Sequence, residues 1–429
     1  MAKKTIKQAL DEAVGSYKAG NIEAAKRLLS RIIQIEPNQP DANHNMGRLL
    51  IESGDLEEAL HFLKTALEAN FSEAQYWFSN IDALFRLNRF SEAAELLEIA
   101  KDKGCKGPSF DDLGEKLNSP AVKKEIEIKT IRGIIKDKPD FETAYLGLGN
   151  ALKEQGKLEE AVEAYKKALA VKPDYAEAYS NMGVTLQQQG KLEEAIEAYN
   201  KALAIQPNNA TASHVVSALT GLTTNTAPRA YVENLFDGYA KQFDESLVKR
   251  LEYRIPKIIS DLAQNLHGTG SMGSILDLGC GTGLLGLEIK EYCSNLEGID
   301  LSYQMLEQAR KNNVYDNLNH IDIVEHLSES ELDFDYFMST DVFIYVGELS
   351  DVFRLIKTRN KRSGRLIFST EHTELNGFHL EQSGRYSHSK SYIESLCSKF
   401  DYSMSHFSTA PLRKDKGQFL EGGLYVLAF

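Results

Sequence analysis

The stretch Leu276-Asp277-Leu278-Gly279-Cys280-Gly281-Thr282-Gly283 sets glycines at alternate positions, with a carboxylate two residues before the first of them. Glycine lets a ligand lie against bare peptide, and such a turn at the carboxyl end of a central strand faces a binding crevice. Asp300 follows the next apolar run, Leu296–Ile299, and its two oxygens can accept both hydroxyls of a ribose. Two ligands compete for this pattern. A dinucleotide fingerprint spaces its glycines G-x-G-x-x-G, but counted from Gly279 the last of these positions is Leu284. A carboxylate beside a pyrophosphate is repelled, whereas beside the ammonium of a methionine moiety it is attracted. Spacing and charge therefore favour S-adenosylmethionine over a nicotinamide dinucleotide.

The elements that must position these residues alternate. Ser274–Leu278 reads as a strand and Leu284–Glu291 begins a helix. Leu296–Ile299 is a second strand, followed by a helix near Tyr303–Arg310, and His320–Val324 is expected as the third strand. Tyr336–Ser339 and Leu366–Ser369 come next, then a helix over Lys390–Lys399 and closing strands near Ser403–Phe407 and Leu424–Ala428. This order predicts a doubly wound α/β domain, mostly parallel, with an antiparallel edge strand.

The glycine stretch resembles motif I of the class I methyltransferases, and Glu297-Gly298-Ile299-Asp300-Leu301-Ser302 resembles motif II. The resemblance spans Tyr231–Phe429. It implies that Asp277 holds the amino-acid end of S-adenosylmethionine and that Gly279, Cys280 and Gly281 line it. Asp300 would bind the ribose, Leu301 and Met305 would pack on adenine, and Asp322 would meet its amino group. Phe334–Val342 resembles motif IV, which puts Thr340 and Asp341 near the transferred methyl. Tyr231–Asp244 resembles the helical lid of bacterial methyltransferases that carry tetratricopeptide repeats. Tyr239 and Phe243, four residues apart, would share one face of that lid over the cofactor.

Gly384-Arg385-Tyr386-Ser387-His388 resembles an acceptor-side segment of the same enzymes, with Arg385 to hold an anionic acceptor and Tyr386 to stack on it. A base is needed only where the acceptor must lose a proton. His388, His372 and Glu371 are the candidates: Glu371 and His372 follow the fifth strand, and histidine titrates near neutrality.

The first half is a repeat. Glu142–Tyr175 and Ala176–Asn209 align without a gap at a period of 34 residues, with Gly149, Gly156, Ala161, Tyr165, Ala168 and Pro173 recurring as Gly183, Gly190, Ala195, Tyr199, Ala202 and Pro207. Each unit reads as two short helices that approach at small residues. The pattern resembles the tetratricopeptide repeat. Units are expected near 6–39, 40–73, 74–107, 108–141 (degenerate), 142–175 and 176–209, with a cap over 210–220, a linker over 221–230 and the methyltransferase domain over 231–429. The resemblance implies a groove for a peptide or protein, faced by Asn45, Arg48, Asn150, Lys153 and Asn181.

A net charge of −13 argues against non-specific binding to phosphate backbones. The basic run Lys357, Arg359, Lys361 and Arg362 reads as a solvated helix end. Cys105, Cys280, Cys293 and Cys397 match no zinc spacing, so no metal is expected and a reducing cytoplasm fits. Met1–Lys7 has no apolar stretch behind it and is not read as a signal peptide. No run is long enough to span a membrane. The expected function is methyl transfer from S-adenosylmethionine to an unidentified acceptor, with the array recruiting a protein partner or substrate. The alternatives are a small-molecule methyltransferase whose repeats only mediate oligomerisation, and a non-enzymatic adaptor with a vestigial cofactor fold.

Overall fold

The computed structural model describes residues 5–240, 243, 251–329, 331–415 and 417–429, apart from the side chains of Tyr239 and Asp415. The chain divides into two compact units, Met1–Pro173 and Asp174–Phe429.

Unit 1 is a run of helix pairs. These are α1 (Ile6–Lys18) with α2 (Ile22–Ile35), α3 (Pro40–Ser53) with α4 (Leu56–Ala69), and α5 (Ala74–Arg86) with α6 (Phe90–Asp102). Then come α7 (Pro108–Asn118) with α8 (Pro120–Asp137), and α9 (Glu142–Glu154) with α10 (Leu158–Val171). Within a pair the helices meet where a small residue faces a large one: any side chain at Gly149 would run into the ring of Tyr165. The fourth pair departs from the pattern. Ser119 ends α7 and also caps α8, and Pro120 starts α8 where other units have a polar turn. Proline suits the first turn of a helix because its missing N–H has no intrahelical partner there. The turn shortens accordingly, and α8 grows to 18 residues.

Unit 2 opens with α11 (Ala176–Gln188), α12 (Leu192–Ile205) and α13 (Ala210–Thr220), so the division falls inside the stretch read as repeats. The reason is packing. Ala218 of α13 shares a core cluster with Ala227, Val232, Leu380 and Tyr386, and His214 Nε2 lies 2.9 Å from the Gly384 carbonyl. The stretch 221–230 is likewise pinned rather than a free tether. Ala227 N donates to Tyr345 O at 3.0 Å, and Glu348 N to Asn225 O at 2.7 Å.

Beyond it lie α14 (Arg229–Tyr239), α15 (Ile255–His267), β1 (Ser274–Leu278), α16 (Leu284–Ile289), β2 (Asn295–Asp300) and α17 (Tyr303–Asn312). Next are β3 (Asn317–His320), α18 (Ile323–Glu329), β4 (Tyr336–Ser339), α19 (Ser350–Arg359) and β5 (Arg365–His372). The chain closes with β6 (Phe378–Leu380), β7 (Tyr386–His388), α20 (Lys390–Phe400), β8 (Ser403–Asp415) and β9 (Gln418–Ala428).

Among the described residues these strands form one nine-stranded open sheet. β3-β2-β1-β4-β5 is the parallel core, β9 runs antiparallel beside β5, and β8 pairs β9. Glu371 and His372, at the end of β5, also pair with β7, and β6 runs antiparallel to β7. Two apolar clusters cover the two faces. Leu276, Leu278, Phe337 and Phe368 belong to one, and Ile275, Met338 and Ile367 to the other. The alternation follows from the two-residue period of a strand. Strand order reverses between β1 and β4, where α/β sheets open a crevice.

The third strand is a correction. It spans 317–320 rather than 320–324, because Asp322 starts α18: its Oδ1 accepts from the amides of Val324 at 2.8 Å and Glu325 at 3.1 Å. An Asp that caps a helix start cannot also continue a strand.

Candidate active site

The turn after β1 is held by β2. Gly279 N and Cys280 N both donate to Ile299 O at 2.9 Å, and Gly281 N donates to Asp300 Oδ2 at 2.9 Å. Gly279 and Gly281 take φ of +74° and +55°, a region that favours glycine. A side chain at Gly279 would also meet Val342, whereas the space beside Gly281 is open. Backbone is therefore bared at Gly281. The other oxygen of Asp300 accepts from Ser302 N at 2.7 Å. Two amides thus fix this carboxylate, and each oxygen keeps a lone pair for a further donor. Burial pushes its pKa up to about 6, partly offset by the amides of Ser302 and Gly281.

A cavity of about 650 Å³ opens above this turn. Gly279, Cys280, Gly281, Asp300, Leu301, Met305, Asp322, Thr340 and Phe243 all lie on its wall. The cover comes from Val232, Leu235 and Phe236 of α14, with the Phe243 ring 6.1 Å from that of Phe236. The side chain of Tyr239, expected in the lid, lies outside the described residues.

Asp277 is not on the wall. It shares a strand face with Ile275, and its Oδ2 accepts from the Tyr315 hydroxyl at 2.7 Å. Burial lifts its pKa to about 7, against the pull of the Tyr315 hydroxyl. Its Oδ1 is buried with no partner.

The far end of the cavity is built from remote segments. Arg413 of β8 donates to Asp341 Oδ2 and to Glu371 Oε1, and Arg385 Nε reaches the same Glu371 oxygen at 2.7 Å. The result is a chain of alternating charge, Asp341–Arg413–Glu371–Arg385. Asp341, Arg385 and Arg413 line the cavity, with Tyr253 and Tyr345 beside them. Asp341 is a non-glycine residue at φ +57°, held by Ser369, whose hydroxyl donates to Oδ1 at 3.1 Å. Burial pulls the Arg413 pKa down, but the charges of Asp341 and Glu371 outweigh it and hold it above its ordinary value.

Four more expected residues are off the cavity wall. His388 is fully buried, with Nε2 at 2.9 Å from Gly347 O and its pKa pushed down by burial to about 4. It braces the 346–347 loop and has no path to an acceptor. His372 packs on Phe407 and bonds Glu374 at 3.2 Å, off the cavity wall. Glu371 is engaged by two guanidiniums rather than open as a base. Tyr386 is buried, its hydroxyl 2.6 Å from Thr224 Oγ1, so it packs under the linker instead of stacking on an acceptor.

Sequence reasoning missed Arg413, Tyr253, Tyr345 and the linker residues Asn225–Ala227 on the wall. Arg413 had one weak signal, Pro411 two residues earlier, which marks the irregular pairing of β8 between Pro411 and Lys414.

In unit 1, Asn45 and Arg48 line a pocket of about 220 Å³ with Tyr17 and Leu29. Asn150 accepts from the Tyr165 hydroxyl at 2.8 Å. Lys153 is partly buried, which pulls its pKa down. Asn181 belongs to unit 2, where its carbonyl accepts from the Thr185 hydroxyl at 2.8 Å. No helix among the described residues is long and apolar enough to cross a membrane.

Residues 270–421 match a family model described as a methyltransferase domain. Residues 16–78 and 176–209 match models of the tetratricopeptide repeat, and 149–190 match a TPR repeat model. The human methyltransferase-like protein 27 is 36% identical over 121 residues, 28% of this chain and 46% of that protein. The chain thus spans about half the length of this curated relative. Among solved structures, magnesium protoporphyrin IX methyltransferase from Synechocystis with bound SAM is 16% identical, covering 48% of this chain and 99% of its own, with a TM-score of 0.37. YrrB, a TPR protein with an unusual peptide-binding site, is 23% identical over 43% of this chain and 96% of its own, with a TM-score of 0.22. The chain carries tetratricopeptide repeats and a methyltransferase domain. The family match and the glycine turn beside Asp300 together support S-adenosylmethionine as the cofactor.

Proposed function

We propose that this chain, a tetratricopeptide-repeat protein with a methyltransferase domain, transfers a methyl group from S-adenosylmethionine to an acceptor recruited through its repeats. The observation that carries the reading is the glycine turn whose Gly281 amide is bound to Asp300 at the mouth of a cavity of about 650 Å³. The residues present fit the cofactor. Gly281 has open space before its backbone, Asp300 has lone pairs to spare, and Asp277 holds one buried oxygen without a donor.

S-adenosylmethionine supplies an electrophilic methyl on a sulfonium. In this reading the chain supplies position. Asp300 takes the ribose hydroxyls. Leu301 and Met305 offer an apolar surface to the base, and Asp322 offers a carboxylate to its amino group. Thr340 and Asp341 follow β4 on the cavity wall, with Asp341 the first member of the charged network. The network of Arg413, Asp341, Glu371 and Arg385 orients what approaches from the other side. The apolar cover of Val232, Leu235 and Phe236 keeps water out, which strengthens each polar contact inside.

The experiment is to incubate the full chain with methyl-labelled S-adenosylmethionine and cell extract, then separate proteins from metabolites. Label on a protein, lost when residues 1–173 are removed, supports recruitment by the repeats. Label on a metabolite, unchanged by that deletion, replaces the recruitment reading with a small-molecule methyltransferase. No transfer to either fraction sinks the enzymatic reading.

A further inference from the structure

Tyr315 lies between α17 and β3, in a segment to which nothing above assigns a role. Its ring is enclosed by three glycines from three different segments. An added Cβ at Gly283 in the turn, Gly286 in α16 or Gly298 in β2 would stand 3.1, 2.7 or 2.9 Å from the ring. Gly283 has a positive φ and is explained by its turn. Gly286 and Gly298 do not, so backbone freedom does not account for them. Glycine inside a helix or a strand is a local cost. At Gly286 the benefit is room for this one aromatic ring; at Gly298 the ring shares the space with Leu318 at 2.8 Å and Cys280 Sγ at 2.9 Å.

The hydroxyl of that ring is used twice. It donates to Asp277 Oδ2 at 2.7 Å and hydrogen-bonds the backbone amide of Gly286, in the first turn of α16. First-turn amides have no intrahelical acceptor. The hydroxyl therefore ties the start of the helix after the glycine turn to the acid at the end of the strand before it. Asp277 is left with a single unpartnered oxygen.

We infer that Tyr315 is a positioning residue for cofactor binding: it clamps the two ends of the glycine turn and fixes the Asp277 carboxylate beneath it. This rests on the proposed cofactor. The hydroxyl is what separates this role from simple filling, because phenylalanine would fill the slot equally well. The groups facing Asp277 are Tyr315 itself, Asp300 of β2, Cys280 of the turn and Tyr253 ahead of α15. Of these, Tyr315 is the one that opposes the effect of burial on Asp277.

The test is calorimetric titration of the full chain with S-adenosylhomocysteine from pH 6 to 8. Tyr315→Phe is expected to bind about tenfold more weakly at neutral pH, the scale of a lost hydrogen bond to a charged group. The midpoint of its pH dependence is expected to move upward, since Asp277 loses a donor that favours its charged form. Asp277→Asn combined with Tyr315→Phe is expected to be less than additive. Gly286→Ala, whose added carbon would meet Tyr315 first and which is off the cavity wall, is expected to weaken binding in the same direction. A Phe variant with the wild-type affinity and pH profile overturns the inference and leaves the cofactor reading standing. Failure of the wild-type chain to bind at all overturns both.

Discussion

The two ends of the cavity in unit 2 are built by opposite strategies. At the cofactor end, one contiguous turn bares its backbone, and a single acid from the neighbouring strand is fixed by two amides. At the other end, four charged side chains, from the loop after β4, from β5, from the turn before β7 and from β8, neutralise one another across up to 72 residues of sequence. The first arrangement is local and is set by glycine spacing and strand alternation. The second exists only once the sheet has formed, and each member depends on the others. Cofactor recognition therefore depends on the remote segments only through Tyr315, whereas the acceptor end stands or falls as a unit.

That contrast is most exposed at Arg413. Replacing it with Met leaves Asp341 and Glu371 buried without their shared partner, and breaking a buried pair costs about 3–5 kcal/mol. Chemical denaturation of Arg413→Met should show a loss of that size; a loss below about 1 kcal/mol would mean the acids are not held as described. Gly279→Val attacks the other end. It forces a β-branched residue to a positive φ and into Val342. Affinity for S-adenosylhomocysteine should fall about a hundredfold while the circular dichroism spectrum is retained, and a variant binding within threefold of wild type would contradict the role of the turn.

Acid–base behaviour sharpens the contrast further. Asp300 and Asp277 have pKa values raised by burial to about 6 and about 7. A raised carboxyl pKa contributes stability fully below its ordinary value of 3.8, and that contribution is lost as pH rises through 6 to 7. Ligand donors favour the charged forms instead. Affinity for S-adenosylhomocysteine should accordingly drop about tenfold from pH 8 to pH 6; a flat profile would show that neither carboxylate is coupled to the bound ligand. The smallest effect is expected at His388. His388→Gln should leave cofactor affinity unchanged within about twofold. The imidazole's depressed pKa, about 4, makes its stabilising share complete above pH 6.5 and lost as pH falls toward 4. Loss of one limb of a pH–rate profile in that variant would restore it as a base.

The same contrast explains what could be read in advance. β1 and β4 fall where alternation put them, and a helix, α13, covers 210–220. Asp300, Leu301 and Met305 reach the cavity because they end β2, follow it and open α17 in turn. Asp277 was legible as an acid at the strand end, but its partner was not, since Tyr315 is 38 residues away. Tyr386 and His388 sit in a three-residue strand, too short to show a period, so their inward burial could not be told from exposure to a ligand. Arg413 gave almost no signal because a charged residue in an edge hairpin ordinarily faces water. The linker looked polar and breakable, yet its backbone pairs with residues 345–348, a long-range contact that composition does not encode.

The central claim is that the turn between β1 and α16 takes a sulfonium nucleoside and not a pyrophosphate-bridged dinucleotide. Equilibrium titration of the full chain against S-adenosylmethionine and against oxidised nicotinamide dinucleotide, each repeated with Asp300→Ala, measures it directly. One-to-one binding of S-adenosylmethionine that the substitution weakens, with no heat from the dinucleotide, is the predicted result. Tighter binding of the dinucleotide, or S-adenosylmethionine binding indifferent to Asp300, would contradict it.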